Sequence, residues 1–121
     1  QIVEETRADF SVLTGSGGAF LGALAVGAAG TVAALANVAA ALLAEMQRLF
    51  LAGKLDVAAQ LQRRLIPVNM LLTARLGIAG LKAALALQGL YGGPVRAPLL
   101  PLPEGEHANV RAVLQKAGLL P

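Results

Sequence analysis

Phe10-Ser11-Val12-Leu13-Thr14-Gly15-Ser16-Gly17-Gly18 is a short apolar run opening into a glycine-rich loop, and Ala19 to Val26 after it is an apolar segment of helical length. The pattern then repeats. Gly27-Ala28-Ala29-Gly30 breaks the helix, Thr31 to Ala36 is a second strand-length run, and Asn37 leads into the next long segment. Short apolar runs without polar alternation belong to strands covered on both faces, and their regular exchange with helix-length segments predicts two successive βα units of a parallel sheet. In such folds ligands are met by the loops at the carboxyl ends of the strands. Here those are Thr14 to Gly18 and the segment ending at Asn37.

The remaining chain reads as helices. Val38, Leu42, Met46, Leu49 and Phe50 recur at helical spacing over Val38 to Leu51, with Glu45, Gln47 and Arg48 opposite and Gly53 as the stop. A second helix starts near Leu55 on a stripe of Leu55, Ala58, Leu61, Leu65, Val68 and Leu72; Pro67 removes one donor and crowds the Arg63 carbonyl, which predicts a kink and not a stop. A third runs from about Ala79 to Gln88. Pro94 to Pro103 holds four of the six prolines and must be extended. The last helix, about Glu104 to Ala117, buries Val110, Val113, Leu114 and Ala117 and carries Glu104 and Glu106 in its first turn. Residues 1–52 thus form the βα part and residues 53–121 a helical extension. Gln1 to Asp9 reads as the end of a helix begun earlier, and two parallel strands leave both sheet edges open. Together these predict a piece of a larger protein.

Composition narrows the function classes. The chain is 56% hydrophobic and 14% charged, with net charge +3 but only 3% aromatic residues, so basic and stacking side chains are not interleaved as in nucleic-acid binders. Absence of cysteine removes disulfides, thiolate nucleophiles and zinc ribbons, and fits a cytoplasmic protein. Phe10 to Ala44 is free of charge and long enough to cross a bilayer, but it is built on alanine and glycine, which contribute little to insertion. The glycine loop matches neither GxxxxGK[ST] nor GxGxxG. It is either an ordinary strand-to-helix turn or one that lets something small approach the backbone.

Individual reactive side chains add little. Only Lys54, Lys82 and Lys116 could form a Schiff base; Lys82 has apolar neighbours, yet a helix lysine with a packed stem and its ammonium in water accounts for it. His107 has no partner for a metal, Ser16 has no base beside it, and Tyr91 and Arg96 flank the extended segment.

A resemblance carries the reading further. Val12-Leu13-Thr14-Gly15-Ser16-Gly17-Gly18, Gly27 to Val38, Gln62-Arg63-Arg64-Leu65-Ile66-Pro67 and Ala117-Gly118-Leu119-Leu120 resemble the end of the dihydrodipicolinate synthase and N-acetylneuraminate lyase superfamily. Within it, Gly77-Ile78-Ala79-Gly80-Leu81-Lys82 and Tyr91-Gly92-Gly93-Pro94-Val95-Arg96-Ala97-Pro98-Leu99 look most like 4-hydroxy-2-oxoglutarate aldolases. The resemblance implies the last two βα units of a (β/α)8 TIM barrel plus a C-terminal helical extension, usually tetrameric. Phe10 to Leu13 would be the seventh strand and Thr31 to Ala36 the eighth. It also implies a Schiff base between a barrel lysine and a 2-oxo acid, at positions preceding Gln1; Lys82 does not match that lysine. The fragment alone would then be inactive, and its partners would be the remaining barrel, a small 2-oxo acid and further copies of itself.

Carried over by residue, Gly15 matches the glycine beside the bound 2-oxo acid, and Val32 the position whose backbone carbonyl faces the active site. Ser16 and Gly17 fall where dihydrodipicolinate synthases carry two aspartates, and Gly17 and Gly18 where sialic acid lyases carry acidic residues. Without those acceptors the loop suits a short dicarboxylic substrate, since each sugar hydroxyl needs a partner. The expected reaction is therefore cleavage of 4-hydroxy-2-oxoglutarate to pyruvate and glyoxylate, with pyruvate–aldehyde condensation as the alternative, and no metal or organic cofactor. A non-catalytic helical interaction module is the competing class. It requires Ala19 to Leu43 to be helical throughout, whereas the lyase reading requires neighbouring parallel strands.

Overall fold

A computed structural model of the chain describes residues 2–7 and 9–121. Of the Gln1 to Asp9 helix end, Ile2–Glu5 is helical (α1), while Gln1 and Ala8 lie outside the described residues. Strand β1 (Leu13–Thr14) and strand β2 (Gly30–Thr31) then pair in parallel, with Leu13 opposite Gly30 and Thr14 opposite Thr31. The ladder is bounded by the Ala29 N–H donating to the Val12 carbonyl at 2.8 Å and the Val32 N–H donating to the Thr14 carbonyl at 2.9 Å.

Both strands are shorter than their apolar runs. Ala34 and Leu35 already turn, and α3 begins at Ala36, so the second run is half strand end and half helix entry. Leu35 is nevertheless fully buried, which is why it reads like a strand residue. Between the strands, a 3-10 turn (Gly17–Ala19) leads into α2 (Phe20–Ala25), whose Phe20 and Leu24 are buried. Ala19 to Leu43 is thus interrupted by a strand, which excludes the continuous helix of an all-helical module. No helix among the described residues is long and apolar enough to cross a membrane.

Helix α3 (Ala36–Leu51) bends at Ala39, where φ is −142° and ψ 32°. Val38, Ala39, Leu43, Met46 and Leu49 are buried; Val38, Met46 and Leu49 are as the spacing predicts, whereas Leu43 takes the place of Leu42, which with Phe50 only flanks the core. Gly53, at φ +71°, ends it as expected. Helix α4 (Leu55–Asn69) buries Ala58, Gln62, Leu65 and Val68, whereas Leu55 is exposed and Leu61 half-buried.

Pro67 does not stop α4. The chain passes into a wider π turn (Met70–Arg75), closed by the Leu76 N–H donating five residues back to the Leu71 carbonyl at 2.9 Å. Gly77, at φ +60°, then starts α5 (Gly77–Leu87), two residues earlier than predicted. The proline-rich segment is not extended throughout as predicted: it turns at Ala97-Pro98, where the Leu99 N–H donates to the Arg96 carbonyl at 3.0 Å, since proline fixes φ at a value that turns also use. Helix α6 (Glu106–Lys116) then closes the fold on buried Val110 and Leu114. It begins at Glu106, so Glu104 precedes its first turn. One apolar core joins Phe20, Leu35, Met46, Leu65, Leu72 and Leu114.

Candidate functional site

The parallel register brings the predicted site residues together. Thr14 and Thr31 are paired, so Gly15 and Val32 are the next residues out at the carboxyl ends of adjacent strands. The Thr14 carbonyl accepts from both the Val32 N–H and the Thr31 hydroxyl, each at 2.9 Å, which fixes the two strand ends against each other. Gly15 and Ser16 are exposed, and a side chain added at Gly15 would meet nothing within 4 Å. Val32 is 74% exposed. The Ser16 N–H reaches the Thr14 hydroxyl at 3.4 Å, a local turn contact, and no side chain among the described residues hydrogen-bonds the Ser16 hydroxyl.

Gly17 and Gly18 are the opposite case. Gly17 is buried against Leu35, and a Cβ there would stand 2.8 Å from its Cδ2; a Cβ at Gly18 would stand 2.8 Å from Asn69 Nδ2. Their glycines are needed for close approach to the protein itself. Beneath them lies Gln62 of α4, whose side chain reaches three backbone groups of this stretch. Its spacing, one residue past Leu61 and three before Leu65, marks it as part of the buried stripe, but the apolar pattern alone passes it over.

The other singled-out side chains are elsewhere. Lys82 is half-buried, and its ammonium donates to the Gly92 carbonyl at 2.7 Å, so one of its three donors ties the chain down just before the proline-rich segment. His107 is exposed at the start of α6, and Tyr91 is 90% exposed. Lys82 and His107 line a groove of about 360 Å³ beneath Pro94 and Leu99, with Ala83 and Leu102 in its wall. No group of His, Asp or Glu able to hold a metal occurs among the described residues.

A short parallel βα pair with an open loop at its carboxyl end, backed by helices, is a partial α/β fold. The chain belongs to the Dihydrodipicolinate synthetase family, whose sequence profile matches residues 1–117. Similar proteins include a 4-hydroxy-tetrahydrodipicolinate synthase from Halalkalibacterium halodurans, 35% identical over 94% of this chain and 39% of that protein. Another is the enzyme of the same name from Methanopyrus kandleri, 36% identical over 100% of this chain and 40% of that protein. Among solved structures, a dihydrodipicolinate synthase from Bacillus anthracis superposes with a TM-score of 0.89 at 38% identity, covering 94% of this chain and 39% of that one. The chain therefore spans about 40% of the length of these relatives.

Proposed function

We propose that this chain forms the closing part of a (β/α)8 lyase barrel that works on a 2-oxo acid through a Schiff base. Residues 1–52 would contribute its last two βα units and residues 53–121 the helical extension. The observation that carries the reading is the adjacency of Gly15 and Val32 at the carboxyl ends of two parallel strands, where barrel enzymes bind their substrates. Gly15, Ser16 and the Val32 carbonyl would form one wall of the 2-oxo acid site; Gly17, expected in that wall, is buried against Leu35 and would support it from behind.

The reactive lysine would come from the rest of the barrel. Its neutral amine adds to the keto carbon of pyruvate and water leaves, giving an iminium; loss of a methyl proton gives an enamine, which adds to the carbonyl carbon of an aldehyde, and water releases the product from the lysine. The exposed apolar side chains of Phe10, Leu13 and Val26, at 64%, 52% and 73%, are surface for the remaining strands and helices to cover. Assembly into tetramers and a cytoplasmic setting belong to the same reading.

The names of the similar proteins favour condensation of pyruvate with an aldehyde over cleavage. A specific feature supports the second reading, 4-hydroxy-2-oxoglutarate cleavage: Gly15 to Gly18 offers no acidic side chain. The test is borohydride trapping with pyruvate on the purified protein, with intact masses recorded for every polypeptide present. A pyruvate adduct on a co-purifying barrel polypeptide is expected, and aldehyde consumption against glyoxylate release then separates the two reactions. No adduct on any polypeptide overturns the Schiff-base reading.

A further inference from the structure

We propose that Gln62 is a positioning residue that sets the substrate loop from behind; this rests on reading Gly15 to Gly17 as that loop. Gln62 is 8% exposed and is the buried polar side chain among the described residues. Its Oε1 accepts from the Leu21 N–H at 2.8 Å, and its Nε2 donates to the Gly17 carbonyl at 3.1 Å and the Gly18 carbonyl at 3.0 Å. A primary amide has two donors and one acceptor group, and each has a partner here.

The arrangement admits one orientation. Turning the amide over would set its N–H groups against the Leu21 N–H and its oxygen against two carbonyl oxygens, so every contact would become repulsive. Leu21 lies in the first turn of α2, whose N–H groups have no intrahelical acceptor. Gln62 therefore supplies in one side chain the acceptor that the helix start lacks and the donors that two loop carbonyls need. Leu35 and Asn69 pack against the Cα atoms of Gly17 and Gly18. Held by all three, the buried half of the loop is a fixed base from which exposed Gly15 and Ser16 project towards Val32.

Gln62 cannot touch a ligand on the exposed side of the loop, so its effect has to pass through the backbone. A displacement of about 1 Å at a substrate contact is enough to change turnover by up to about a hundredfold. Gln62→Met keeps the length and apolar stem and removes all three hydrogen bonds. Gln88→Met is the matched comparison: Gln88 also bridges distant backbone, donating to the Val38 carbonyl at 3.0 Å and the Leu119 carbonyl at 3.3 Å, but does not touch the loop.

The experiment measures pyruvate KM and kcat for both variants in the assembled enzyme, together with amide hydrogen exchange at Leu21. Gln62→Met is expected to raise the pyruvate KM about tenfold or more and to expose the Leu21 amide, whereas Gln88→Met lowers Tm and leaves both unchanged. If the wild-type enzyme forms no pyruvate adduct, the functional reading falls and the loop loses its substrate role with it. If the adduct forms and Gln62→Met matches Gln88→Met in KM, the functional reading stands and the positioning role alone is overturned.

Discussion

Gly17→Ala isolates how tightly the site loop is seated. The added methyl would stand 2.8 Å from Leu35 Cδ2 and 3.0 Å from Leu35 Cβ, whereas carbon atoms rest about 3.5–4.0 Å apart. The Cδ2 contact could be eased by rotating the leucine, but Leu35 is 0% exposed, so a new rotamer has to displace packed neighbours. The Cβ contact is set by the backbone of the turn before α3 and yields only if loop and turn separate by about 0.5–1 Å. Overpacking of that kind costs about 1–3 kcal/mol, and 2 kcal/mol corresponds to roughly 6–10 °C in Tm for a domain of this size. The matched variant is Gly15→Ala, two residues away, where the methyl meets nothing within 4 Å. Thermal denaturation of the purified protein should show Gly17→Ala melting well below wild type and Gly15→Ala within about 2 °C of it. In the assembled enzyme Gly15→Ala should instead weaken pyruvate binding. Equal Tm values for the two alanine variants would refute the packing argument.

Three further outcomes are expected. Gly92→Ala drives its Cβ into the Lys82 carbonyl oxygen, which is backbone and cannot swing aside, so limited proteolysis should cut the Pro94 to Pro103 segment faster than in wild type. Lys82→Met removes the ammonium bond to the Gly92 carbonyl and should lower stability by about 1 kcal/mol in denaturant titration. The Asn109 amide, and then the Arg75 guanidinium, hold the Glu106 carboxyl below its ordinary value of 4.5. A depressed carboxyl stabilises the fold above that value and loses its contribution as pH falls through the lowered one. The Tm difference between wild type and Glu106→Gln should therefore be small, largest near neutral pH, and vanish on acidification below the lowered value, shrinking also in high salt because the pair is exposed. A difference that grows with acid would contradict the assignment.

Periodicity located the βα repeat and every long helix because burial on two faces, or on one stripe, leaves a regular mark on the sequence. It misjudged ends where one residue serves two purposes. Leu35 is as buried as any strand residue but sits in the turn that opens α3, and Thr31 to Ala36 therefore reads as one strand. Pro67 announced a distortion, but the π turn at Met70–Arg75 depends on how α4 and α5 pack and has no local signature. The strand pattern points to the loop that holds Gly15, whereas Val32 is singled out only by the resemblance, because the run Thr31 to Ala36 reads as one strand with Val32 inside it. Gln62 could not be placed: a glutamine in an apolar stripe looks like an exposed residue unless its partners, 41 to 45 residues away, are known to lie against it.

The Gln62 contact also bears on how such a loop could be moved or varied. Residues Gly15 to Gly18 look like a self-contained cassette, yet their conformation is written partly in α4, in the half of the chain that holds none of the exposed loop. A transplant of the loop alone into another barrel would arrive without its support, and should recover its shape only when a glutamine is placed beneath it. Conversely, substitutions around Gln62 offer a way to reshape the loop while every residue of the loop itself stays the same.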